Sequence, residues 1–174
     1  DDNRYEVGLP WTDEFLQGQK KLVDNESQAR KRLQSLSRKL SRDPQLEVRY
    51  NQAIQEMEDS QIIEEVPPEE KVVNHPVFYL PHRPVVKETS VSTKVRPVFD
   101  ASALGPNGVS LNCCLSTGPS LIPSLPEILL RFRRWKYALS ADVTKAFLQI
   151  SVNRKDQDVH RFLWSVSGSV RIMR

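Results

Sequence analysis

The chain has 174 residues, 39% hydrophobic, 7% aromatic and 27% charged, with twelve prolines. That composition allows a modest core and excludes a membrane span, because the longest apolar runs are far too short to cross a bilayer. Lysine and arginine number 25 against 22 acids, and the resulting +3 argues only weakly for a polyanionic partner.

Taken in chain order, residues 1–23 read as an extended connector, with Arg4-Tyr5-Glu6-Val7-Gly8-Leu9-Pro10-Trp11 closed by a proline. Residues 24–65 read as a helical hairpin. Ala29, Leu33, Leu36 and Leu40 recur at helical spacing, and Asp24 or Asn25 is placed to cap the start. Asp43-Pro44 ends that helix and opens a second, Asp43 as N-cap and Pro44 in the first turn, with Leu46, Tyr50, Ala53, Ile54 and Met57 on one face. The cations Arg30, Lys31, Arg32, Arg38, Lys39, Arg42 and Arg49 crowd this region, either as solvated helix faces or as contacts to a polyanion. Val66-Pro67-Pro68 is a linker.

Beyond it the pattern turns strand-like at Val77–Leu80, Val85–Lys87 and Lys94–Asp100, with a turn at Gly105-Pro106-Asn107-Gly108. A helix is expected over Glu127–Trp135 with Ile128, Leu129 and Phe132 inward, then a buried strand over Tyr137–Ala141. Arg131, Arg133, Arg134 and Lys136 form a second basic cluster beside it. Arg161–Val166 reads as another strand, joined through Gly168 to a partner over 170–174. The adjacent Cys113 and Cys114, and the scattered His75, His82 and His160, have no metal-ligand spacing and suit a reduced, intracellular protein. No signal peptide pattern is present. The first residue is not Met and the last ones read as mid-strand, so a fragment is expected.

Three residues stand out chemically. Asp142 follows the apolar run Tyr137–Ala141, and a buried acid needs a partner. A divalent cation held by its carboxylate and by the Val143 carbonyl is one answer, and a helix N-cap is the other. Arg96 lies in an alternating run where Val95, Pro97 and Phe99 share one face and Arg96 and Val98 the other. It suits a bidentate grip on phosphate, with Lys87 and Lys94 adding charge, or a surface salt bridge to Asp100 or Glu88. Phe147, five residues past Asp142, packs either against a nucleotide sugar or in the core.

Phe78-Tyr79-Leu80-Pro81-His82-Arg83-Pro84-Val85-Val86-Lys87 and Thr93-Lys94-Val95-Arg96-Pro97-Val98-Phe99-Asp100-Ala101-Ser102 closely resemble the start of reverse transcriptases of Pao/BEL-type LTR retrotransposons. Val109-Ser110-Leu111-Asn112, Gly118-Pro119, Leu129-Leu130-Arg131-Phe132-Arg133, Leu139-Ser140-Ala141-Asp142 and Arg161-Phe162-Leu163-Trp164 continue the resemblance over nearly the whole chain. Arg4-Tyr5-Glu6-Val7 with Leu9-Pro10-Trp11 resembles the connector that follows the protease in those polyproteins.

The resemblance implies an α+β chain in which residues 66–174 are the fingers and the first part of the palm of a right-hand polymerase. It implies that Asp142 is a catalytic, metal-binding aspartate and that Val143 lends a carbonyl to Mg²⁺. Phe147 would screen the sugar, Lys145 and Ala146 would line the triphosphate path, and Arg96 with Lys87 would bind the triphosphate. Template-primer and deoxynucleoside triphosphates are the implied partners, and a cytoplasmic setting, within virus-like particles, the implied location. The later Asp-Asp hairpin and the template-gripping motif of that family have no counterpart here, and Asp156 and Asp158 sit in a polar loop unlike that pair. One carboxylate does not hold two Mg²⁺ ions, so the expectation is a fragment inactive by itself. The alternative is a non-catalytic remnant that binds nucleic acid or protein.

Overall fold

A computed structural model describes residues 4–90, 94–143, 145–166 and 168–174. Thr93 and Thr144, which belong to two of the motifs above, lie outside the described residues. Helices and short strands are mixed in sequence. The elements are β1 (Tyr5–Val7), α1 (Asp13–Leu16), α2 (Glu26–Leu40), α3 (Pro44–Asp59), β2 (His82–Val86), β3 (Val95–Phe99), α4 (Leu125–Phe132), β4 (Ile150–Val152), β5 (Phe162–Val166) and β6 (Ser169–Met173).

The helical hairpin forms where its periodicity places it. Ala29, Leu33 and Leu40 of α2 and Tyr50 and Ile54 of α3 are buried, with Ile54 fully so. Asp43 caps α3, its Oδ1 accepting the Leu46 amide at 3.0 Å. Asn25 is the N-cap of α2, but its side chain is used elsewhere. It donates to the Tyr79 carbonyl at 2.9 Å and accepts the Tyr79 amide at 2.7 Å. Asp24 instead accepts the Glu26 amide at 2.8 Å.

The strands pair two by two: β1 with β4 in parallel, β2 with β3 and β5 with β6 antiparallel. The β2–β3 ribbon sets Phe99 opposite His82 and Val95 opposite Val86. Its inner face meets α3 and β5 in a cluster holding Tyr50, Ile54, Val95, Phe162, Trp164 and Met173. The rings of Phe99 and Phe162 meet edge-on with centroids 4.8 Å apart. Gly168, at φ +83°, makes the β5–β6 turn, and Gly108, at φ +76°, closes the turn begun at Gly105.

The N-terminal connector is built into the fold. Asp156 accepts the Leu9 amide at 2.8 Å and the Trp11 indole N–H at 2.9 Å, and Trp11 stacks on Phe15. Asp156 lies in a turn and Asp158 in the 3-10 turn that follows it, and both are buried within that loop. Asp158 receives Arg161 Nε at 2.7 Å and Arg174 Nη1 at 3.2 Å, and His75 stands 2.6 Å away.

Three expectations fail. Phe78 and Leu80 are buried and their amides reach the carbonyls of Asp158 and Arg161, yet Val77–Leu80 makes a single bridge rather than a strand. Tyr137–Ala141 is exposed and forms no strand, with Leu139 94% accessible. A strand needs a neighbour for its backbone groups, and among the described residues none lies beside this one. Ile128, Leu129 and Phe132 of α4 are likewise exposed rather than inward.

Candidate functional site

Strand alternation sorts the β2–β3 ribbon into two faces. His82, Pro84 and Val86 with Val95, Pro97 and Phe99 form one; Arg83, Val85 and Lys87 with Lys94, Arg96 and Val98 form the other. The second face carries four cations. The Arg83, Lys87, Lys94 and Arg96 side chains are all exposed, and the Lys87 amide donates to the Lys94 carbonyl at 2.8 Å, which sets those two lysines side by side. The salt bridge weighed for Arg96 does not form: Glu88 pairs with Arg49 at 3.0 Å instead. Among the described residues none of the four has an ionic partner within 4 Å.

Packing on the reverse face holds this platform in place. His82 Nε2 lies 2.8 Å from the Leu163 carbonyl, and His82 Nδ1 lies 2.5 Å from the Tyr50 hydroxyl. The neutral tautomer protonated at Nε2 satisfies both contacts, and burial holds this imidazole below the usual histidine range. Burial likewise pushes the Tyr50 phenol up. The cationic face therefore sits on an aromatic base.

The second group of predicted residues lies on the stretch 142–149. Asp142 and Val143 are exposed in an irregular segment. The premise of a buried acid is thus not met within this chain, and neither is the alternative of a helix cap, because no helix begins at Asp142. Lys145 takes a left-handed backbone at φ +51°, unusual for a residue with a Cβ, and starts a 3-10 turn over Ala146–Gln149. Lys145 and Ala146 are exposed; Phe147, 91% accessible, is not core.

Strand β4 follows at once and is held by β1, whose Val7 carbonyl accepts the Asn153 amide at 2.9 Å. Phe147, Leu148 and Ile150 border a cavity of about 770 Å³ whose other walls include Leu80, Phe99 and Phe162. His160 also lines it, its imidazole pushed down by burial. Arg96 lies on the opposite face of the ribbon from Phe99. Arg96 and Lys87 are thus brought together, as are Lys145, Ala146 and Phe147, but the two groups do not share the cavity.

Of the ligands a magnesium ion needs, the described residues offer the one carboxylate that the resemblance implies and the Val143 carbonyl beside it. Asp142 is a single exposed carboxylate, and among the described residues no three His, Cys, Asp or Glu side chains group as a metal site. The motif at 94–100 pointed to Arg96, but Arg83 went unrecognised as its neighbour. The two-residue spacing of 83, 85 and 87 carried that signal.

No family model, no curated protein and no solved structure matches this chain.

Proposed function

We propose that this chain is the fingers and the first part of the palm of an RNA-directed DNA polymerase of the Pao/BEL type. The observation that carries the reading is the four-cation face of the β2–β3 ribbon, Arg83, Lys87, Lys94 and Arg96, free of acidic partners among the described residues and fixed from behind by the Tyr50–His82–Phe99–Phe162 cluster. A rigid face of guanidinium and ammonium groups suits a triphosphate, since charge-assisted contacts to phosphate oxygens are the strong ones and need preorganised donors. Motif resemblance assigns Arg96 and Lys87 that role and makes Phe147 the ring that discriminates against a 2′-hydroxyl.

Asp142 then supplies one carboxylate to a magnesium site whose other ligands come from outside this chain. Its solvent exposure is compatible with that division. The parent enzyme works inside the cell on template-primer and deoxynucleoside triphosphates. The deciding experiment is primer extension by the longer reading frame that contains this segment. Asp142→Asn is expected to abolish extension. Arg96→Ala is expected to raise the KM for deoxynucleotides by about 10- to 100-fold, the equivalent of one charged hydrogen-bonding group. Full extension by the Asp142→Asn enzyme ends the proposal.

One observation favours a second reading for the chain in isolation. Among the described residues no three His, Cys, Asp or Glu side chains group as a metal site, while all four ribbon cations share one face. A non-catalytic nucleic-acid-binding remnant needs only the latter. Such a remnant binds a primer–template duplex in a salt-dependent way, and its longer reading frame does not extend primers.

A further inference from the structure

The α2 helix carries a second cationic surface, remote in sequence from the ribbon. At about 100° per residue, Ala29, Leu33, Leu36 and Leu40 fall on one stripe. That stripe is committed to the core, with Ala29 and Leu33 against Tyr79 and Leu163. Lys31 and Arg38 fall on a line opposite that stripe, and Arg32 and Lys39 on another about 100° away at its flank, so four exposed cations cover one arc. The residues between them, Gln28 and Ser35, are uncharged, and Arg42 continues the arc just past the helix.

Among the described residues no acid lies within 4 Å of the charged ends of this arc. The α2 helix has one acid, Glu26, and it is engaged by Arg30 at 2.6 Å. The next helix, α3, holds Glu47, Glu56, Glu58 and Asp59, yet no ion pair within 4 Å joins it to α2 among the described residues; Glu58 turns instead to Arg171. Arg38 and Lys39, in the last turn, complement the helix dipole, but Lys31 and Arg32, in mid-helix, gain nothing from it.

We propose that this face binds the phosphate backbone of a nucleic acid, as a site separate from the ribbon. Phosphates are contacted by Arg, Lys, Ser and Gln, the residue types on this arc. A lipid surface fits poorly, because membrane-lying helices insert an apolar face and the apolar face of α2 is already buried. A protein partner fits poorly too, since the arc lacks the aromatic or aliphatic anchors that centre protein interfaces. The two cations on each line are about 10 Å apart, close to three nucleotide steps along one strand. The site does not depend on the polymerase reading, and the two fail separately.

The test uses the 174-residue chain with a fluorescent primer–template duplex, and with the single strand alone, titrated between 50 and 200 mM salt. The variant is Lys31→Gln, Arg32→Gln, Arg38→Gln and Lys39→Gln together, compared with Arg83→Gln, Lys87→Gln, Lys94→Gln and Arg96→Gln. Loss of the α2 cations should flatten the slope of log affinity against log salt by about 2–4, at roughly 0.7–0.9 per phosphate contact. Far-UV circular dichroism should be unchanged. Should the fourfold change unfold the chain, the pairs Lys31→Gln/Arg38→Gln and Arg32→Gln/Lys39→Gln should each give about half the effect. An unchanged slope in a folded α2 variant overturns the proposal. Equal, α2-dependent binding to anionic vesicles overturns it as well. A slope altered by the α2 change but not by the ribbon change leaves this site standing and removes the support for the ribbon.

Discussion

At the scale of single residues, buried polar groups do the most specific work. His82 is an example: its ring is enclosed by Tyr50, Phe99 and Phe162, and both nitrogens find partners only in the neutral form. Because its folded pKa lies below the ordinary value near 6.5, the unfolded chain takes up a proton first as pH falls. The stability it contributes is therefore complete above that value and declines as pH drops through it toward the folded one. His160 is displaced in the same direction by burial, opposed by the charge of Asp156. Urea midpoints are expected to fall between pH 7.5 and pH 5.5, and to fall less in His82→Gln. An equal drop in the two proteins would show that the histidine at 82 has no part in it. Asn25 tells the complementary story, a polar side chain tied to both backbone groups of Tyr79 rather than to its own helix.

At the scale of elements, what was legible in the sequence depended on whether an element's partners lie close to it in the fold. The hairpin of α2 and α3 was readable because the stripe Ala29–Leu33–Leu36–Leu40 and the pair Asp43-Pro44 encode it locally. The ribbon was readable at Val95–Phe99 from simple alternation, and the β5–β6 hairpin from Gly168. The stretch Tyr137–Ala141 was misread because an apolar run reports only that a residue suits burial, not that a neighbour exists to bury it. Asp142 inherited that error: its supposed interior position rested on the same strand. Asp156 and Asp158 went the other way, polar in sequence and buried through partners as distant as Leu9 and Arg174. Local encoding can be checked at α3. Asp43→Ala removes the acceptor for the Leu46 amide and should cost about 1 kcal/mol in chemical denaturation. A cost indistinguishable from zero would mean that Pro44 and the packing of Tyr50 fix the helix start without the cap.

At the scale of the whole molecule, small sheets of two strands each cannot hold the chain together by their ladders alone. A charged network does part of that joining. Arg161, fully buried, gives Nε to Asp158 and Nη1 to the Lys71 carbonyl at 2.9 Å, so the linker after α3 is sewn to the segment leading into β5. Arg174 adds Glu64 and Glu70 at 2.7 Å, and Arg154 reaches the same two acids. Burial alone would raise the Asp158 carboxyl, but hydrogen bonds from His75 and Arg161 outweigh it and hold the group below the usual carboxylate range. A depressed carboxylate contributes stability above its unfolded pKa of about 4 and loses it as pH falls through the folded value. Asp158→Asn leaves the Arg161 guanidinium buried without its counter-charge, a change that costs about 3–5 kcal/mol when a buried pair is broken. The loss should be full near pH 7 and should shrink as pH falls below about 4, where the unfolded carboxyl takes up a proton first and the native one follows at its lower value. Urea titrations of both proteins from pH 7 to pH 3 read this directly. A gap that stays constant across that range would mean that Asp158 acts by shape and hydrogen bonding rather than by charge, and that the linker is held by the backbone contacts of Arg161.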